Sequence, residues 1–128
     1  MNASGGEVYR YTVPGIPPSV NKYLGRKAEW KYRTVKDEWT QRVAWNCKMS
    51  PIPLIPLKKS QVAITCFFPD NRRRDIDNVA KVLLDGLKLA GVIEDDCWQC
   101  ISIHMQGDID RGNPRVEICV AEIRRESE

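Results

Sequence analysis

The stretch Arg72–Asp96, RRRDIDNVAKVLLDGLKLAGVIEDD, changes its hydrophobic period partway along. Asp75-Ile76-Asp77 reads as extended chain, in which side chains at i and i+2 share a face, so Asp75 and Asp77 project together while Ile76 turns to the core. From Asn78 the pattern becomes helical, with Val79, Val82, Leu83, Leu87 and Ala90 on the buried face and Lys81, Asp85 and Lys88 on the other. Asp77 or Asn78 takes the N-cap. If Asp77 caps, Lys81 stands one turn above it and its ammonium can reach the carboxylate pair. Asp85, two turns on, suits a capping charge or a salt bridge with Lys81 or Lys88. Gly91 fits the left-handed position that ends a helix, and Val92 supplies the apolar contact that follows.

Beyond this turn lies Glu94-Asp95-Asp96. A helix from Asn78 to Ala90 is roughly 20 Å long, and the extended residues from Gly91 can travel back roughly 17 Å. A third carboxylate can therefore return towards the first two. Such a cluster repels itself, since two unit charges about 4 Å apart cost on the order of 4 kcal/mol at an effective dielectric of about 20. Mg²⁺, which takes hard oxygen ligands and keeps waters and phosphate oxygens, is one positive partner. A salt-bridge network through Arg72–Arg74 and Lys81 is another, and spacing alone leaves both open.

Upstream, Gln61–Phe68 alternates as a strand with Val62, Ile64, Cys66 and Phe68 on one side, and Pro69-Asp70-Asn71 turns out of it. Thr34 can cap a helix to about Met49, with Val35, Trp39, Val43 and Cys47 on one face and Trp45 off it. Prolines 51, 53 and 56 end that helix. Glu7–Val13 reads as a strand that stops at Pro14-Gly15. Downstream, Cys100–Met105 alternates as a strand, and Arg115–Ile123 is another. Asp108-x-Asp110 repeats the carboxylate spacing, but in a Gly/Asn/Pro-rich segment read as a solvated hairpin tip.

With 128 residues, 42% of them hydrophobic and 29% charged, the chain reads as a single domain, 1–128, with 1–6 and 124–128 as frayed tails. It shows no internal repeat. No window reaches the roughly 20 apolar residues of a membrane span, and no leader pattern opens the chain, so the cytoplasm is the expected compartment and no membrane is expected as a partner. The five cysteines, an odd number not framing loops, read as reduced thiols, mostly buried.

The formal net charge is only +3, but it is unevenly spread: Lys22–Lys48 holds eight basic against three acidic residues, and Asp70–Asp96 seven acidic against five basic. A basic arm can hold a polyanion and an acidic centre can hold the metal that cuts it; a solvated helix face with ordinary surface charge gives the same counts.

Resemblance separates these readings. The run Arg72-Arg73-Arg74-Asp75-Ile76-Asp77-Asn78, then Lys81, Asp85-Gly86-Leu87, Ala90-Gly91 and Asp95-Asp96, resembles the central motif of the RusA family of Holliday junction resolvases in order, spacing and residue type. Ile16-Pro17-Pro18-Ser19-Val20-Asn21-Lys22-Tyr23 is similar to that family's Pro-Pro-Ser-x-Asn segment. Together with the strands around them, the motifs cover most of residues 7 to 123. The resemblance implies an α+β fold, a small mixed sheet with two main helices in a single domain, and a homodimer. It implies a Mg²⁺-dependent endonuclease that resolves four-way DNA junctions by paired symmetrical nicks in recombination and repair. Its metal ligands fall on Asp75, Asp77 and Asp96 and its catalytic lysine on Lys81, with Asp95 as a supporting acid. Asn21, Lys22, Arg72, Arg73 and Arg74 are the residues expected to meet DNA, while Arg72–Arg74 can also be no more than a charged turn.

Cys97-x-x-Cys100-x-x-x-His104 departs from the family pattern and has the spacing of half a zinc site. Strand alternation, however, puts Cys100, Ser102 and His104 on one face and Cys97 on the other. Two alternatives thus accompany the nuclease: a non-catalytic branched-DNA-binding protein, and a zinc-dependent interaction module.

Overall fold

The structure, a computed structural model, describes residues 6–18 and 25–124, the side chains of 25–30 and 32 excepted. Along the chain run β1 (Val8–Pro14), α1 (Gly25–Lys48), β2 (Ser60–Phe68), α2 (Ile76–Ala90), β3 (Ile101–Ile109) and β4 (Arg115–Glu122). The expected α+β fold is present: four strands form one mixed sheet in the order β1-β4-β2-β3, with β4 antiparallel to both neighbours and β3 parallel to β2. A parallel pair needs a crossover, and α2 provides it.

The alternation read in β2 holds, with Val62, Ile64, Cys66 and Phe68 buried and Gln61 and Ala63 exposed. These side chains join Val13 of β1 and Val116, Ile118 and Val120 of β4 in a core that both helices cover. Trp39, Val43 and Cys47 of α1 are buried as expected, and Trp45 lies outside at 66% exposure. The helices meet where α2 carries Gly86: a Cβ there would fall 2.5 Å from Val43 Cγ1. Lacking one, the backbones approach closely.

Three expectations are corrected. Thr34 is not the cap of α1, which begins at Gly25. Between Gly25 and Thr34 the sequence, residues 26–33, includes Arg, Lys, Ala and Glu without a further glycine or a proline, and that run carries the helix through a residue only mildly unfavourable inside one. Helix α2 begins at Ile76, with Asp75 as an extended N-cap (φ −87°, ψ 114°) whose side chain makes no capping hydrogen bond. Ile76 is accordingly 36% exposed and not a core residue, because strand alternation no longer sets its direction once the chain is helical. Nor do residues 108–114 form a hairpin tip. The strand β2, buried along one whole face, separates β3 from β4, and the connection crosses its end, where the Asp110 N–H donates to the Phe68 carbonyl at 2.8 Å. Asp108 lies within β3. The tails expected to fray fall almost wholly outside the described residues. Among the described residues, no helix is long and apolar enough to cross a membrane.

Candidate active site

The segment after α2 is steered back by backbone hydrogen bonds. Gly91 adopts the left-handed conformation (φ 80°) expected of it, the Gly91 N–H donates to Lys88 O at 3.0 Å, and the Val92 N–H donates to Leu87 O at 3.0 Å. This double closure satisfies two carbonyls of the last helical turn and reverses the chain. Leu57, from the proline-rich linker, then pins the returning chain: its N–H donates to Val92 O at 2.9 Å and its carbonyl accepts from the Glu94 N–H at 3.0 Å. Asp95 Oδ1 accepts the Asp96 N–H at 2.8 Å, which makes Asp95 a support for its neighbour's backbone.

Asp96 does return to α2. Its carboxylate lies 3.3 Å from Lys88 Nζ and 3.5 Å from Lys81 Nζ. Both ammoniums also face Asp85, at 3.3 Å from Lys81 and 3.4 Å from Lys88, with Lys36 of α1 at 4.0 Å. The salt bridges expected of Asp85 are therefore present. Partial burial opposes the charge on Asp96, but the Lys88 hydrogen bond and the fields of Lys81 and Lys88 outweigh it and hold the carboxyl below its ordinary range. Lys88 is affected likewise: burial works against its charge, and Asp96 and Asp85 more than compensate, so its ammonium titrates above the usual value.

Asp75 and Asp77 stand at the other end of the helix. Asp75 Oδ1 is 3.8 Å from Arg73 Nε, and Asp77 is an exposed residue of the first turn, where the helix dipole favours negative charge. Asp75 and Asp77 share one face only in extended chain, and the start of α2 at Ile76 takes the segment out of that conformation. Lys81 points away from them, up the helix to Asp85 and Asp96. Among the described residues, no three His, Cys, Asp or Glu side chains are gathered as a metal site. The donor set still suits a hard divalent cation, being carboxylate oxygen throughout, and Asp96 already requires positive partners. In this structure lysines meet that demand.

Arg72, Arg73 and Arg74 do not stand alike. The first two side chains are 81% and 89% exposed. Arg74 is turned inward at 15%, stacked on Phe68 with its guanidinium carbon 4.6 Å from the ring centre, and donates to Asp70 Oδ1 at 2.9 Å. That hydrogen bond, with the Arg72 N–H on the same oxygen, keeps the Asp70 carboxyl below its usual range. Asn21 and Lys22 lie outside the described residues.

The cysteines need two corrections. Only Cys47 and Cys66 are buried, where desolvation pushes each thiol up to about 12; the other three are half-buried. Cys97 and Cys100 do not lie on opposite faces, because β3 starts only at Ile101 and a tight turn precedes it, in which the N–H groups of Cys100 and Ile101 donate to Cys97 O. Their sulfurs are 3.2 Å apart. His104 sits exposed on β3, in register with Ala63 of β2, and joins them in no metal-binding group among the described residues.

Lys88 was missed as a partner of Asp96. The signal was present in the glycine at 91, which reverses the chain beside the last helical turn that carries Lys88.

A single α+β domain with a carboxylate–lysine face at one helix and two highly exposed arginines at that helix's entry is the class of molecule these features define. Residues 14–121 match the family described as Endodeoxyribonuclease RusA, and the chain belongs to that family. It is similar to the crossover junction endodeoxyribonuclease rusA of Enterobacteria phage HK97, with 33% identity over 89 residues that span 69% of this chain and 73% of that protein. The phage 82 protein of the same name is 29% identical over 119 residues, 92% of this chain and 98% of its own. RusA of Escherichia coli strain K12 is 28% identical over the same shares. The family resemblance read in the two motifs is thereby borne out.

Proposed function

We propose that the protein is a Mg²⁺-dependent, structure-selective DNA endonuclease that resolves four-way junctions by paired nicks, acting as a homodimer in recombination and repair. The observation that carries this reading is the return of Asp96 to α2, where its carboxylate meets Lys81 and Lys88 on the helix that opens with Asp75 and Asp77. It is supported by family membership and by the names of the relatives.

In this reading Asp75, Asp77 and Asp96 would hold the metal, which when bound would supply Lewis-acid polarisation of the scissile phosphate and lower the pKa of a water. The chain's own residues do the remainder. Lys81, with a side chain 57% exposed, carries positive charge to the phosphorus oxygens as charge builds there. Arg72 and Arg73 hold the sugar–phosphate backbone at the entry to α2. Asp95 keeps the Asp96 backbone in place. A two-fold dimer would match a junction's own symmetry and set one active site on each of two strands of like polarity.

The test is incubation with a synthetic four-way junction and Mg²⁺, with the products sequenced. Symmetrical nicks carrying 5′-phosphates are expected. A junction bound but left intact would identify a branched-DNA-binding protein instead, and a species of 14.7 kDa in sedimentation, unchanged by junction DNA, would remove the dimer.

A further inference from the structure

The motif that the proposed nuclease leaves unused is Cys97-Trp98-Gln99-Cys100. Its two sulfurs stand 3.2 Å apart in one tight turn, both cysteines are half-buried free thiols, and Trp98 between them is 83% exposed. A disulfide requires about 2.05 Å between sulfurs, so the two thiols already stand near bonding distance. The remaining thiols offer no such pair: Cys47 and Cys66 are enclosed in the core, and Cys119 lies on β4 beside Arg10.

We propose that Cys97 and Cys100 form a reversible dithiol–disulfide site, closed by exchange with a small-molecule disulfide and tying the Asp95–Asp96 segment to the sheet. In the first step one of the two cysteine sulfurs attacks the small disulfide, forming a mixed disulfide and releasing one small thiol, which takes up the proton the cysteine lost. In the second step the other cysteine sulfur displaces the second small thiol and the Cys97–Cys100 bond forms. Two protein thiols are oxidised, and one small disulfide is reduced to two thiols.

The mechanical consequence follows from what each end is attached to. Cys97 adjoins Asp96, whereas the Cys100 carbonyl accepts from the Ser60 N–H at 2.9 Å and leads straight into β3, paired with β2. Before oxidation, hydrogen bonds to Cys97 O hold the turn. Afterwards a covalent bond links the acidic segment to the first residues of a rigid ladder. Local openings of residues 94–101 are then rarer.

The experiment treats the reduced, folded protein with oxidised glutathione and measures intact mass, thiol count and amide hydrogen exchange. Expected are a loss of two of the five thiols, a mass lower by two hydrogens with no glutathione retained, and exchange slowed several-fold across residues 94–101, all reversed by dithiothreitol. Cys97→Ser and Cys100→Ser should each instead retain one glutathione at the remaining cysteine of the pair. The proposal is overturned if the wild type keeps stable single adducts, if its thiol count stays at five, if exchange across residues 94–101 is unchanged, or if the pair proves occupied by stoichiometric zinc. Nicking by the reduced protein is a separate readout: its absence would defeat the nuclease reading and leave the thiol result intact.

Discussion

Lys88 Nζ lies 3.3 Å from Asp96 Oδ1, joining the last turn of α2 to a carboxylate that the chain delivers only after reversing direction at Gly91. The contact closes the loop between helix and acidic segment. Lys88→Met should therefore release Asp96 on one side, leaving Lys81 as its ammonium partner. Because both groups are partly solvated, the stability loss should stay below about 1 kcal/mol in urea unfolding. The Asp96 carboxyl should titrate closer to its ordinary value by side-chain NMR. No movement in that titration would show the pair to be electrostatically idle.

Asp77→Asn separates cutting from holding. It keeps shape but removes one charge from the proposed metal ligands, so nicking with Mg²⁺ should fall by about 100-fold or more. Junction affinity without metal should persist or rise, since a negative charge facing phosphate is gone. The check is gel-shift affinity and nicking rate on one preparation; a variant that cuts at the wild-type rate rules Asp77 out as a ligand.

The arginines should divide by exposure. Arg73→Ala, at a side chain 89% exposed, should weaken junction binding and lower the slope of log affinity against log salt by about 1, with unchanged stability. Arg74→Ala removes the stack on Phe68 and should cost about 1 kcal/mol of folding stability. Salt-titrated binding beside urea unfolding reads both.

Two glycines, one inside α2 and one just past its end, should resist substitution for different reasons. Gly86→Ala drives a methyl against Val43 at the helix–helix contact and should cost about 1–3 kcal/mol by overpacking. Gly91→Ala meets open space, but its φ of +80° is unfavourable for an L side chain, so about 1 kcal/mol is expected. A Val43→Ala background should rescue the first in urea unfolding and leave the second unchanged.

Acid should weaken the fold. The Asp70 carboxyl is held down by the Arg74 hydrogen bond and that of Asp110 by the Arg115 hydrogen bond, while at Asp96 partial burial is outweighed by Lys88 and Lys81. All three folded values lie below the unfolded value of about 3.9. Their contribution is therefore present above about pH 4 and is lost as pH falls through the folded values. Urea midpoints between about pH 2 and 6 should decline on the acid side, and Asp110→Asn should flatten part of that decline.

Local pattern alone determined a good deal here. The alternation of β2, the buried stripe of α2 from Val79 to Ala90, the left-handed Gly91 and the Asp85 salt bridges each depend on neighbours within a few residues, where side-chain direction follows directly from backbone period. The two motifs carried the family. Other features were invisible for lack of a local cause. Helix boundaries at Gly25 and Ile76 reflect how far packing and propensity extend a helix, which single capping residues do not settle. The placing of β2 between β3 and β4, like the meeting of Asp96 with Lys88, is decided by which elements share one core and where Leu57 pins the returning chain. Such contacts join residues far apart in sequence, and only the assembled tertiary structure specifies them.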